Sequence, residues 1–241
     1  MVVRQGTFSL TGLTGLFIFP SNDGIKEWNN AMATPLEKAR KDPESMKARI
    51  LQVARRFFGE YGYHGTTTRM IAKQVGIDIS TLHYHWGGKK DLYEAVILDI
   101  NKDLGQKLAD VEKLIHGLPL DERMVIAIDV MTDYLFDFPE ISNLILFRYF
   151  SKTRDTIDLR VPEFTADIAR SMGLTKDRKN TSPRAKIEVF AVMNAIHNFI
   201  SGENFFRPIV GLKRKDYIST VKETLKFILI RSFVEREKGQ K

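Results

Sequence analysis

The chain has 241 residues, of which 43% are hydrophobic, so it is long enough to bury a substantial core. It contains no cysteine, which excludes disulfides, thiol catalysis and thiolate metal sites. A formal net charge of +7 favours a polyanionic partner, and no stretch has the apolar length of a membrane helix, so we expect a cytoplasmic protein without a membrane partner.

The first part of the chain, residues 1–44, shows no sustained hydrophobic period and is interrupted by prolines. We expect it to be an N-terminal extension that is flexible or loosely docked. Its apolar run at 10–19 is separated by charged residues from the small residues at 31–33, which is the wrong spacing for a signal peptide. Initiation at Met32 or Met46 is an alternative that the sequence leaves open.

Helical spacing begins at residue 45 and continues through a short, basic region. Start signals from serine and threonine and stop signals from glycine divide this region into short helices. The predicted helices span residues 45–62, 66–76, 80–86 and 89–104. The apolar residues of the last one recur every four positions, at Leu92, Val96, Ile100 and Leu104.

Beyond Gly117 the chain becomes a larger and more apolar helical region. The predicted helices there span 123–138, 141–151, 162–172, 184–202 and 215–237. Because no segment is typical of a strand, the sequence predicts an all-α protein. We expect a DNA-binding domain at 45–93 and a helical ligand-binding and dimerisation domain at 94–241.

Residues 66–86 have the spacing of a helix-turn-helix. Two short helices that cross at a steep angle must touch near their turn, which the small side chain of Ala72 permits. Gly76 follows where a left-handed residue costs least. The predicted buried faces of the two helices are formed by Ile71, Val75, Ile77 and Leu82.

The remaining side chains of this region suit DNA. Thr66 and Thr67 lie at a helix N-terminus, where backbone N–H groups and the helix dipole attract phosphate. Lys89 begins the following helix in the same way, and Arg69 adds positive charge. The third helix carries hydrogen-bonding groups suited to base edges in a major groove, at Ser80, Thr81, His83, Tyr84 and His85.

The pattern from Phe58 to Leu92 is F-x-x-x-G-Y-x-x-T-T-x-x-x-I-A-x-x-x-G-I-x-x-S-T-L-x-x-H-W-x-x-K-x-x-L. It resembles the DNA-binding domain of the TetR family of bacterial transcriptional regulators, strongly in this region and loosely beyond it. The resemblance implies a homodimer that binds double-stranded operator DNA, usually as a repressor released by a small molecule. His83 departs from it, since the family usually has a phosphate-contacting tyrosine there.

Polar groups in the apolar segment around residues 190–199 need partners, which a ligand or a dimer contact would supply. Aromatic and methionine side chains nearby line either a ligand cavity or the core. The candidate residues for a small apolar or amphipathic ligand are Met131, Tyr134, Phe147, Met193, Asn194 and His197.

The last two helices are expected to pack both within the protomer and across a dimer interface. The residues expected in these contacts are Ile187, Phe190, Ala191, Asn194, Ala195, Asn198, Val221, Leu225, Ile228 and Leu229.

An enzyme is not expected, because no phosphate-binding loop, Ser/His/Asp order or helical metal box occurs in the sequence. No cofactor is expected either. His83 and His85 are two residues apart and point in different directions on a helix, which argues against a metal site. The alternative to a DNA-binding regulator is a helical protein-interaction module with a non-functional helix-turn-helix.

Overall fold

A computed structural model of the protein describes residues 35–150 and 161–238. Residues 1–34 of the expected extension lie outside this described part. So does residue 151, the last residue of the helix predicted over 141–151. The described chain is helical and contains no strand, which confirms the all-α prediction.

Ten helices of the described part are numbered in chain order. They are α1 (Met46–Gly65), α2 (Thr68–Val75), α3 (Ile79–Trp86), α4 (Lys89–Ile115), α5 (Leu120–Asp137), α6 (Pro139–Phe150), α7 (Val161–Ser171), α8 (Pro183–Ser201), α9 (Glu203–Val210) and α10 (Arg214–Lys238). A 3-10 turn, Arg178–Asn180, precedes α8. Residues 35–41 are also helical.

Two elements differ from the predictions. Helix α4 continues past residue 104 to Ile115, because Val111 and Ile115 extend its buried side by about three further turns. Helix α9 was not predicted, since it is short, contains Pro208 and lies between two glycines that are typical helix ends.

Residues 35–41, at the end of the segment expected to be flexible or loosely docked, form a helix that packs on the body of the protein. Leu36 and Ala39 are buried in the hydrophobic core. Arg40 crosses to α4, where its Nη1 atom lies 2.5 Å from Asp99 Oδ1 and 2.9 Å from Asp103 Oδ1. This segment is therefore part of the folded unit.

One continuous core joins the DNA-binding region to the C-terminal helices. It includes Ile50 and Phe58 of α1 and extends to Leu229 of α10. The predicted domain boundary between residues 93 and 94 falls inside α4, which passes through it without interruption. A movement of the C-terminal part of α4 would therefore also displace its first turn, which belongs to the DNA-binding region.

Helix α6 is the second link between the two regions, since it packs against α1 on one side and α8 on the other. Gly59 permits this close approach to α1, because a Cβ atom there would lie 2.5 Å from Glu140 Cβ. Gly62 breaks α1 with a φ of 68°, and the Phe147 ring lies 3.6 Å from where its Cβ atom would be.

A cluster of ion pairs connects α1 with α4 and α6. Arg55 of α1 donates to Asp99 Oδ2 at 2.9 Å, to Asp103 Oδ2 at 2.5 Å and to Glu140 Oε1 at 3.0 Å. Burial alone would lower the pKa of the Arg55 guanidinium, but the bonds and charges of these three acids outweigh it and raise the pKa. Arg40 adds a second positive charge to the two aspartates.

Candidate nucleic-acid interface

The turn between α2 and α3 has the predicted geometry. Thr67 caps α2, because its side-chain oxygen accepts a hydrogen bond from the Met70 N–H at 3.2 Å. Gly76 adopts the left-handed conformation, with φ of 81°, and both its N–H and that of Ile77 bond to the Ala72 carbonyl. Three of the four side chains predicted to join the two helices are buried, Ile71, Val75 and Leu82, and Ile77 is half-buried.

The position of Thr66 corrects the prediction. Its side chain is fully buried, and its hydroxyl donates to the main-chain oxygen of Phe57 at 2.9 Å. Its N–H bonds to the Gly62 carbonyl, so neither donor faces solvent. Thr66 fixes the end of α1, and Thr67 alone of the pair is exposed for a phosphate contact.

Two basic side chains of α1 hold the C-terminal ends of α2 and α3. Lys47 Nζ donates to the His85 carbonyl at 2.8 Å, and Arg49 Nη2 lies 3.4 Å from the Val75 carbonyl. The Trp86 indole N–H returns a bond to the Lys47 carbonyl at 3.1 Å. A positive charge at the end of a helix stabilises it, so α1 fixes the orientation of both helices.

The exposed face of α3 presents the predicted base-reading groups. Ser80, His83 and Tyr84 are exposed, and the Tyr84 side chain is 84% accessible. Thr81 and His85 are half-buried. Solvent exposure of a large aromatic side chain beside hydrogen-bonding groups is typical of a surface that meets a partner.

His85 turns partly inward. Its Nδ1 atom is buried and has no hydrogen-bond partner among the described residues, and its ring meets Tyr84 edge-on at 5.2 Å. Burial, with the nearby charge of Lys47, lowers the pKa of His85. The imidazole is therefore neutral at pH 7, and a contact with DNA is left to the outer part of the ring.

Lys89 at the start of α4 is held by an aromatic cluster. Its ammonium lies 4.5 Å from the centre of the Tyr63 ring, a cation–π contact, and burial lowers its pKa. The Tyr63 ring packs in turn on Tyr93 at 4.9 Å and on Phe58 at 6.3 Å. Tyr63 thus positions a predicted phosphate contact.

The Gly87–Gly88 pair has a local explanation. Gly87 has a φ of 73°, and a Cβ atom there would lie 2.6 Å from Asp91 Oδ2. Asp91 accepts a hydrogen bond from the Gly88 N–H at 2.7 Å and so caps α4. The pair gives a tight passage from α3 to α4, which places Lys89 close behind α3.

The positive charge of this region is divided between two roles. Eight lysines and arginines lie between residues 44 and 93. Lys47, Arg49 and Arg55 bond to groups within the protein. The basic side chains left on the outer surface of the helix-turn-helix and the start of α4 are Arg69, Lys73, Lys89 and Lys90.

Two polar side chains of α8, those of His197 and Asn198, have partners within the protomer. His197 is buried, and its Nδ1 atom lies 2.9 Å from Ser142 Oγ on α6. Burial lowers the pKa of His197 to about 4, so the ring is neutral at pH 7. The main-chain oxygen of Asn194 accepts a hydrogen bond from the Asn198 amide at 2.8 Å.

The other candidate ligand residues lie in different surroundings. Tyr134 lies beside Arg55 and Asp103 of the ion cluster. Phe147 packs on Gly62 and remains partly exposed. Met131 and Met193 are half-buried. A ligand cavity shared by these residues stays a prediction.

Neither a membrane span nor a metal cluster emerges from the part of the chain that the structure describes. None of its helices is long and apolar enough to cross a bilayer. Within the same residues, no group of three or more histidine, aspartate or glutamate side chains is arranged to hold a metal ion.

Helices α1 to α3, with an exposed outer face on α3 and basic groups beside it, define a helix-turn-helix DNA-binding domain. Residues 50–96 match the sequence model of the family described as bacterial regulatory proteins, tetR family. Over this domain, the match confirms the resemblance to the TetR family. The family is a non-enzymatic one, in agreement with the expectation that the chain is not an enzyme.

Two curated relatives share this part of the chain. UidR, an HTH-type transcriptional regulator of Escherichia coli K12, is 30% identical over 101 residues, which cover 42% of this chain and 50% of UidR. IcaR of Staphylococcus aureus Newman is named as a negative transcriptional regulator of the biofilm operon icaADBC. It is 47% identical over 49 residues, 20% of this chain and 26% of IcaR. The chain thus spans half or less of the curated relatives it matches.

Among solved structures, the fatty acid degradation regulator FadR from Bacillus halodurans is similar with a TM-score of 0.50 and 12% identity. The match covers 74% of this chain and 93% of FadR. At this identity the similarity concerns the fold alone, and it supports a shared all-α architecture beyond the helix-turn-helix.

Proposed function

We propose that this protein is a sequence-specific DNA-binding transcriptional regulator that places α3 in a major groove. The observation that carries the proposal is the two-sided character of α3. Leu82 and Trp86 are buried on its inner side, whereas Ser80, His83 and Tyr84 are exposed on the outer side. A helix with a packed inner side and exposed hydrogen-bonding groups is what direct reading of base edges requires.

Phosphate contacts flank this helix in the proposal. The exposed N-cap Thr67 and the N-terminal Lys89 each lie at a helix start, where free N–H groups and the helix dipole attract an anion. Arg69 and Lys73 add positive charge on the outer side of α2. Such contacts set affinity and register, and the α3 groups set the preferred sequence.

We propose that the protein acts as a homodimer, with the second copy covering apolar side chains on the last three helices. Ile187, Phe205 and Phe227 are 67%, 68% and 70% exposed, an unusual degree for large apolar residues. Val221, Leu225 and Leu229 are buried within the protomer and serve its own core. Two α3 helices in such a dimer would read half-sites roughly 34–36 Å apart.

The dimer can be tested by sedimentation at micromolar concentration with Phe227→Glu, a charge placed on the exposed patch. We expect this variant to sediment as a monomer, and Lys102→Glu, on an exposed site of α4, to remain dimeric. A monomeric wild-type protein at these concentrations would contradict the proposal.

We further propose that the regulator is a cytoplasmic repressor released by a small apolar or amphipathic ligand. The name of IcaR, a negative regulator, supports repression. The contacts of α6 with both α1 and α8 support ligand control, because a displacement of α6 would change the placement of the DNA-binding helices.

DNA recognition is tested by selecting duplexes from a randomised library and then measuring affinity across a range of salt. We expect a partly palindromic sequence and an affinity that falls steeply with salt. Lys89→Ala should weaken binding to all sequences and reduce the salt slope by about 1, whereas Lys102→Ala should bind as the wild type. Absence of any enriched duplex and of salt-sensitive binding would favour a protein-interaction module instead.

A further inference from the structure

Arg148, near the C-terminal end of α6, is a cation without a counter-charge among the described residues. Its Nη2 atom is buried and has no hydrogen-bond partner, and the described residues provide no ion pair to its guanidinium. The phenols of Tyr93 on α4 and Tyr149 on α6 lie close enough to interact with it electrostatically. Burial lowers the pKa of Arg148, although not enough for an arginine to lose its charge at pH 7.

The contrast with Arg55 at the other end of α6 is informative. Arg55 is similarly enclosed but contacts three carboxylates, at 2.5 to 3.0 Å. Buried arginines are normally paired, because an uncompensated charge in the interior is costly. Arg148 therefore has the chemistry of a binding group for an anion that the described residues do not provide.

Exposed aromatic side chains neighbour Arg148 along α6. Phe147 and Phe150 lie three residues apart, hence on the same side of α6, and Phe150 is 74% exposed. Tyr149 is also partly exposed. A buried positive charge beside exposed aromatic rings suits a molecule with an anionic head and an apolar body.

We propose that this end of α6 binds the carboxylate of a small amphipathic monocarboxylic acid. Arg148 is the charged donor, the Tyr93 and Tyr149 hydroxyls are further donors, and the apolar body lies over Phe147 and Phe150. A single carboxylate matches a single unpaired guanidinium, whereas a phosphate monoester would bring more negative charge than Arg148 neutralises. The proposal rests on the ligand-controlled regulation proposed above and specifies its ligand class.

The site is linked to the DNA-binding surface by two ring contacts. Tyr93 packs on Tyr63 at 4.9 Å, and Tyr63 carries the Lys89 ammonium at 4.5 Å. A carboxylate that engages the Tyr93 hydroxyl would shift this stack and so the placement of Lys89. We expect a bound acid to weaken DNA binding by about 5-fold or more.

The test measures ligand binding by calorimetry on the full chain without DNA. The probes are octanoate and 4-phenylbutyrate, with 1-octanol and 4-phenylbutanol as their uncharged counterparts. We expect both acids to bind at least about 10-fold more tightly than the alcohols, a difference of roughly one charged hydrogen-bonded contact. Equal binding of acids and alcohols, or no acid binding at millimolar concentration, would overturn the proposal.

Variants locate the site. Arg148→Gln should weaken binding of both acids at least about 10-fold and leave the alcohols unchanged, whereas Arg170→Gln, an exposed arginine of α7, should bind as the wild type. Tyr149→Phe removes one donor at a partly exposed position and should weaken acid binding by a smaller factor. Unchanged acid binding in Arg148→Gln would overturn the proposal.

Stability gives an independent readout. Without acid, Arg148→Gln should unfold at the same temperature as the wild type or higher, because it removes an unpaired buried charge. A marked drop would show that Arg148 already has an internal partner and would overturn the site. DNA binding by the acid-free protein is measured separately on the selected duplex, so failure of the regulator proposal is distinguished from failure of the carboxylate site.

Discussion

The Lys47 ammonium donates to the main-chain oxygen of His85 at 2.8 Å, and the neighbouring Trp86 indole donates back to the main-chain oxygen of Lys47 at 3.1 Å. This reciprocal pair ties the first turn of α1 to the last turn of α3, across 38 residues of chain. The helix proposed to read DNA is thus oriented from its C-terminal end, away from the bases.

Replacement of Lys47 by Met should lower the free energy of unfolding by about 1 kcal/mol, because the last turn of α3 loses a charged hydrogen bond. DNA affinity should fall as well, since α3 is less firmly oriented. Urea unfolding and fluorescence anisotropy measure the two effects. Lys102→Met, an exposed lysine on α4, should change neither quantity, and equal effects of both variants would contradict the role of the cap.

The cation–π contact between Tyr63 and Lys89 predicts a difference between two conservative variants. Tyr63→Phe keeps the aromatic face and should leave the affinity for a mixed-sequence duplex unchanged. Tyr63→Leu removes the face and should weaken that affinity about 2- to 5-fold, in line with a contact of roughly 0.5–1 kcal/mol. A salt titration by anisotropy checks this, and indistinguishable affinities of the two variants would remove the positioning role.

Thr66 and Thr67 should separate in their effects. Thr66→Val leaves the Phe57 carbonyl without its buried donor and should cost about 1–2 kcal/mol of stability, with unchanged DNA affinity of the folded protein. Thr67→Val removes the exposed cap hydroxyl and should weaken DNA binding in addition to stability. Loss of DNA affinity in fully folded Thr66→Val would restore the direct contact that the sequence suggested.

The junction between α1 and α6 should depend on Arg55 much more than on Arg40. Arg55→Met leaves Glu140 without a cation in a partly buried site and should cost roughly 3–5 kcal/mol. Arg40→Met removes a more exposed partner and should cost about 1 kcal/mol or less. Thermal unfolding of both variants measures this, and comparable losses would show that the cluster acts only through its net charge.

His197 gives a defined pH dependence of stability. Burial lowers its pKa in the folded state to about 4, below the value near 6.5 of the unfolded chain. The unfolded state therefore binds more protons between these values, and stability that is complete above pH 6.5 falls as the pH falls toward 4. About 2 kcal/mol should be lost between pH 7 and pH 5.

This contribution can be isolated with His197→Gln, because carboxylates also titrate in that range. Denaturant unfolding at a series of pH values should give a flatter profile for the variant than for the wild type, whatever its stability at pH 7. Parallel profiles would mean that His197 is protonated in the fold.

Local patterns predicted those features whose causes are local. Leu92, Val96, Ile100 and Leu104 are buried as their spacing of four predicted, and Gly76 is left-handed at the turn. The all-α class and most helix bounds follow from the same signals. These signals did not predict helix α9, because its proline and its flanking glycines are themselves typical of helix ends.

The side-chain contacts that build the candidate site were not predictable, because their partners are distant in sequence. The burial of Thr66 depends on Phe57, and the role of Tyr63 depends on Lys89 from another helix. Whether the ligand candidates share one cavity was not predictable for a related reason, since the relative rotation of α5, α6 and α8 decides which side chains meet. Periodicity within one helix contains no information on that rotation.

The helical residues 35–41 have a practical consequence for how the protein is cut. The family match begins at residue 50, so a truncation designed from it would discard Leu36 from the interior and one of the two arginines that neutralise Asp99 and Asp103. A polypeptide initiated at Met46 would suffer the same loss. We expect such a polypeptide to unfold at a lower temperature than the full chain and to keep its DNA preference. The reason is that residues 35–41 contact α4, on the side away from the helix proposed to read DNA, through the ion pairs of Arg40.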